Sequence, residues 1–164
     1  MSGNFNYSKF NQFIQNTRSV NESYTQRYNA SLRTNFKTAP NIEIGYGYTI
    51  QDNQQGRGGS TKFYTKIPSI EVDALFLKAF TFRTDYTSNN FSNQDNTIDN
   101  TFEFWNASLA YRKDRDAKFE YEIKATNLLD TRSQNDSSAG AVSVSAQEYF
   151  IQPRFISFRL RYQL

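Results

Sequence analysis

Two pairs of carboxylates stand at alternate positions in this chain, Glu71/Asp73 and Glu120/Glu122. Carboxylates held close together can share a proton and divide the work of acid and base. Here Arg83, Lys124, Arg159 and Arg161 share a face with them, so an interior charge network accounts for the pattern better than a catalytic dyad. The chain has no His and no Cys, which removes the commonest general base and any thiolate metal site or disulfide. The stretch NQDNTID (93–99) is dense in oxygen ligands but lacks the glycine and closing glutamate of a calcium loop. QGRGGST (55–61) lacks the Gly-Lys-Ser/Thr ending of a phosphate loop. Both are expected to be solvated loops. No catalytic residue, metal or cofactor is expected.

The elements that carry these residues are legible from period two. In KFEYEIKATN, Phe119, Tyr121, Ile123 and Ala125 alternate with Glu120, Glu122, Lys124 and Thr126. One face is apolar and the other formally charged, a separation that a helix could not produce at this spacing. The same parity recurs in Tyr28 to Phe36, Ile42 to Ile50, Ile70 to Phe76, Phe80 to Tyr86 and Trp105 to Tyr111. With a weaker first segment near Phe5 to Ile14 and a final one from Ile156, about eight antiparallel strands are expected, with no helix and no linker between domains.

Composition explains how such strands are built. Among 164 residues, 37% are hydrophobic yet 16% are aromatic, and the mean hydropathy is −0.76. Disordered chains are poor in aromatics, so the apolar material is diluted by alternation rather than missing. No run approaches the roughly 18 apolar residues of a membrane helix. MSGNFNYSKF lacks the features of a signal peptide, so an exported protein would be represented by a mature segment or carry an added Met1. Net charge is +3, but Lys and Arg are scattered and the aromatics share a face with Ile and Leu, which argues against nucleic acid.

The connections are expected to sort by length. Tight ones fall at 38–41, 77–79 and 113–117; long polar ones fall at 16–23, 51–65, 88–101 and 128–147. Short turns at one end and long loops at the other are the pattern of an outer-membrane barrel. Phe36, Phe76, Phe80, Tyr111, Phe119 and Tyr162 sit beside the short turns, where an interfacial aromatic girdle belongs. The last strand alternates up to its final residue. Phe158, Leu160, Tyr162 and Leu164 are expected outward, towards lipid or an insertion machinery, and Arg159 and Arg161 inward. In a closed barrel this strand must pair with the first to remove the edge.

Residues 102–164 resemble the C-terminus of TonB-dependent outer-membrane receptors, particularly the SusC-like group. The resemblance lies in the A-T-N-L-L-[ND]-T element, here Ala125 to Thr131, and in the Q-P-R step, here Gln152 to Arg154, before an alternating last strand. It implies a strand segment of a larger barrel in the outer membrane of a Gram-negative bacterium, engaged in nutrient uptake. Implied partners are outer-membrane lipid, the rest of the receptor barrel, the barrel-assembly machinery, a surface lipoprotein lid, and TonB through a plug and TonB box not found here. Two other roles fit the same strands. One is a complete eight-stranded barrel acting as anchor or adhesion surface; the other is a receptor fragment held as a folding substrate by the assembly machinery.

Overall fold

A computed structural model describes residues 1–14, 17–37, 40–56, 60–114, 116–139 and 144–163. Period-two hydropathy is realised as ten strands: β1 (Ser2–Ile14), β2 (Thr17–Arg33), β3 (Asn41–Gln55), β4 (Ser60–Phe76), β5 (Phe80–Asn93), β6 (Asp99–Tyr111), β7 (Phe119–Thr126), β8 (Ser133–Ala139), β9 (Val144–Phe150) and β10 (Phe155–Tyr162). The described residues contain no helix. Eight strands form one antiparallel sheet in the order β1-β2-β3-β4-β5-β6-β7-β10, and β8 and β9 pair as a separate hairpin. Each strand of the large sheet lies beside its neighbour in sequence, except that β10 returns past the β8–β9 hairpin to pair with β7.

The sheet is open. β1 and β10 are its two edges and do not pair with each other, so each leaves one row of backbone N–H and C=O groups without a strand partner.

Four stretches that read as long connections are largely strand. β2 already begins at Thr17, β3 runs to Gln55 and β4 resumes at Ser60, and β5 runs to Asn93 before β6 starts at Asp99. Residues 128–147 hold β8 and the start of β9, which raises the count from about eight to ten. In these extensions polar residues dominate both faces, so the alternation that marks a strand in sequence fades. The backbone ladder needs no apolar side chain, and it continues through Ser23↔Asn53, Gln51↔Phe63 and Thr65↔Phe91. The asymmetry between the two ends survives as polar strand extensions at one end.

Of the short connections, 77–79 is a tight turn closing Phe76↔Phe80, with Leu77 and Lys78 at positive φ (52° and 58°). The expected turns at 38–41 and 113–117 and the loop at 55–61 include residues 38–39, 115 and 57–59, which lie outside the described residues, as does Leu164.

Among the described residues the only buried apolar side chains are Phe63 and Phe91, stacked at 5.6 Å with Ile98 against them. Both lie in the polar extensions. The large apolar side chains of the sheet are otherwise mostly exposed.

Candidate functional site

On β7 the apolar side chains are more exposed than the carboxylates between them. Phe119, Tyr121 and Ile123 are 42–53% exposed, whereas the Glu120 and Glu122 side chains between them are 23% and 18% exposed. Phe158, Leu160 and Tyr162 of β10 are exposed on the apolar face as well. Carboxylates are thus more sheltered than rings on the same strand, although Arg159 and Arg161, at the free edge, remain exposed.

The charged face is an ion-pair ladder. Arg159 Nη1 lies 3.1 Å from Glu122 Oε2 and Arg161 Nη1 3.0 Å from Glu120 Oε1, both across the β7–β10 pairing. Further along the same face Arg83 Nε donates to Asp73 Oδ1 at 2.9 Å, and Arg33 bridges Asp73 and Glu43 at 3.9 and 3.6 Å. Each carboxylate of the Glu120/Glu122 pair therefore holds its own guanidinium. Glu71 stands opposite Glu43 and Asp85, and Lys124 opposite Ser108 and Ser157; neither joins an ion pair among the described residues. A polar depression of about 210 Å³ opens between Arg83 and Glu120/Glu122, because β6 supplies only Ser108 and Ala110 as its floor.

Within the 93–99 stretch, Asn93 is committed to its own turn. Its Oδ1 accepts from Ile98 N–H, and its Nδ2 donates to Thr97 Oγ1. Among the described residues no group of three acidic side chains is placed to hold a metal.

On the apolar face, rings run as a chain beside the short-turn end. Phe76 and Phe80 stack at 5.4 Å, Phe80 meets Tyr111 at 4.9 Å, and Phe119 meets Tyr162 at 5.0 Å. This apolar band crosses the strands obliquely. Straight across the sheet the pairings join Leu32, Ile44, Ile70, Tyr86 and Trp105. Leu32 is one residue from the short-turn end of β2, and Trp105 is six from the short-turn end of β6. That difference of five residues amounts to about 17 Å along the strands over about 19 Å across four interstrand steps, so the strands lean about 40° from the perpendicular to the band. Beyond the band the positions on the apolar face turn polar, with Lys9 and Glu22 paired at 2.6 Å.

The two sequence elements at the C-terminal end meet in a clasp. Asn127, only 2% exposed and at φ 55°, ends β7. Its Nδ2 donates to the carbonyls of Thr131 and Gln152, its Oδ1 accepts from Thr131 N–H, and its own N–H donates to Asn106 Oδ1. Asp130 accepts the backbone N–H of Arg154, while Arg154 Nη1 reaches the carbonyl of Leu128. The Arg154 N–H, with help from the Arg132 guanidinium, holds the Asp130 carboxyl below its ordinary range. The role of Asn127 had one signal in the sequence: an asparagine directly after an alternating strand suits a left-handed backbone.

No protein-family model, curated protein or solved structure matches this chain.

Proposed function

We infer that the chain is a wall segment of a transmembrane β-barrel, the C-terminal strands of a TonB-dependent receptor in a Gram-negative outer membrane. The oblique apolar band carries this inference. An exposed apolar stripe crossed by strands leaning at about 40° matches the roughly 35–45° tilt of membrane barrels, whose interior is polar. A water-soluble sheet would bury that stripe. The free edges of β1 and β10 would then pair with the remaining strands of the receptor. The ion-pair ladder would line the lumen, the polar extensions would rise from the outer surface, and the last strand would be presented to the barrel-assembly machinery. The chain acts as structure and lining, not as an enzyme.

The absence of native cysteine makes the test direct. Single cysteines at residues 119 to 123, spin-labelled after reconstitution in phospholipid vesicles, should alternate: 119, 121 and 123 accessible to oxygen, 120 and 122 to a water-soluble nickel chelate. Uniform accessibility would remove the membrane wall. A density map of the intact particle then separates the roles, since closure of the eight strands on themselves would replace the receptor with a small anchor barrel.

A further inference from the structure

Three exposed lysines stand at the short-turn end of the sheet, each within two residues of a ring of the aromatic chain. Lys78 lies between Phe76 and Phe80, Lys113 follows Tyr111, and Lys118 precedes Phe119. The pairings Phe80↔Tyr111 and Tyr111↔Tyr121 put their turns side by side. Arg112 fastens these turns to one another. Its N–H donates to the Ala79 carbonyl at 2.8 Å, its Nε to the Ala117 carbonyl at 3.2 Å, and its Nη2 to Gln163 Oε1 at 2.6 Å. The Gln163 N–H donates in turn to the Lys118 carbonyl at 2.8 Å. One arginine thus gathers the 77–79 turn, both ends of the 112–118 connection and the end of β10.

The lysines gathered there are left without counter-charges. None of the three has an ionic or hydrogen-bonding partner among the described residues, and Lys118 Nζ lies over the Tyr162 ring, 5.9 Å from its centroid. Asp114 and Asp116 are near in sequence, but the Asp114 carboxylate accepts the Asp116 N–H of its own turn. At the opposite end of the band Lys9 is paired with Glu22 at 2.6 Å and Lys62 with Asp52 at 3.7 Å. Interfacial rings mark the head-group level of a membrane, so ammonium groups one or two residues beyond them stand where lipid phosphates begin.

Resting on the membrane-wall reading, we propose that this cluster binds an anionic phospholipid. Its phosphate would sit among Lys78, Lys113 and Lys118, and its acyl chains would lie along Phe80, Tyr111, Phe119 and Tyr162. A zwitterionic head group would bring a further ammonium to three already present, so the cluster favours net negative charge. Short turns face the periplasm in outer-membrane barrels, the side on which such a membrane carries its phospholipids. A lysine close to an anionic head group strengthens association by about five-fold.

The whole chain would be reconstituted in phosphatidylcholine vesicles with a trace of spin-labelled phosphatidylglycerol or spin-labelled phosphatidylcholine. Electron paramagnetic resonance then reads the motionally restricted fraction of each. Phosphatidylglycerol should associate several-fold more strongly than phosphatidylcholine. Lys78→Gln, Lys113→Gln and Lys118→Gln should each lower that preference, the triple variant should bring it close to parity, and Lys113→Arg should keep it. Lys66→Gln removes the same charge from the opposite end of the sheet and should change it little. An equal loss in Lys66→Gln would tie the preference to net charge and overturn the site. Equal restriction of both lipids by the unaltered chain would overturn the site and spare the membrane wall. No restricted fraction from either lipid would overturn both.

Discussion

Asn127 and Gln152 are joined across 25 residues of chain: the side-chain amide of one donates to the backbone carbonyl of the other at 3.0 Å. Between them the β8–β9 hairpin leaves and returns, so this bond and its neighbours fix where β10 starts relative to β7. Replacing a buried hydrogen-bonded group typically costs about 1–3 kcal/mol. Asn127→Ala, which also puts an alanine at positive φ, should lower the urea midpoint of the refolded chain accordingly. It should also speed amide exchange in residues 155–158 more than in β1 or β2. Exchange that rises evenly through the sheet would deny the clasp a local role.

The clasp should also loosen in acid. Asp130 has a depressed folded-state pKa, its ordinary value being near 3.8, so its contribution is present above the unfolded value and lost as pH falls through the folded one. Exchange protection of the Arg154 amide should therefore decline below about pH 4. Asp130→Asn should flatten that decline; an unchanged acid profile in the variant would assign it to another group.

The last strand gives an asymmetric pair of substitutions. Leu160 and Arg161 are neighbours that face opposite sides of the sheet, Arg161 being bonded to Glu120. An arginine on a lipid face near mid-bilayer costs about 2–4 kcal/mol, whereas an exposed ion pair is worth about 0–1 kcal/mol. Leu160→Arg should harm membrane insertion more than Arg161→Leu, judged by heat-modifiable gel mobility. Equal damage would mean that the two faces are wrongly assigned.

Glu122 distinguishes a wide barrel from a narrow one. Its partner Arg159 stands at an edge and is 58% exposed, so Glu122→Gln should change stability by less than about 1 kcal/mol in a water-filled lumen. In a small closed barrel the same change would strand a buried arginine at a cost of about 3–5 kcal/mol. Urea unfolding in matched vesicles reads the difference.

Strands were legible wherever one face differed from the other. Phe119 to Ala125 declare their pairing by parity alone, and that stretch is β7. Legibility failed where polar residues dominate both faces: Thr17 to Ser23, Gln51 to Gln55 and Ser88 to Asn93 carry no alternation, a lone Phe91 being too little to set one, yet their backbones pair. The β8–β9 hairpin was hidden for the same reason. The charged residues could be placed on one face from the sequence, but not their partners. Glu120 meeting Arg161, and Glu122 Arg159, depends on a strand register set by contacts 41 and 37 positions apart. The clasp was harder still, since Asn127 works through backbone carbonyls that no residue type announces.

The near absence of buried apolar side chains, Phe63 and Phe91 being the pair found among the described residues, has a calorimetric consequence. The heat-capacity step of unfolding comes from apolar surface newly exposed to water, about 12–15 cal/mol/K per residue in ordinary globular proteins. This sheet already exposes its rings on one face, so under the membrane-wall proposal unfolding within lipid wets little that was dry. Its stability should vary almost linearly with temperature instead of forming a dome, with no cold-denatured branch to be found. If the apolar face is lipid-covered, as proposed, removing that lipid would destabilise the sheet more than warming it.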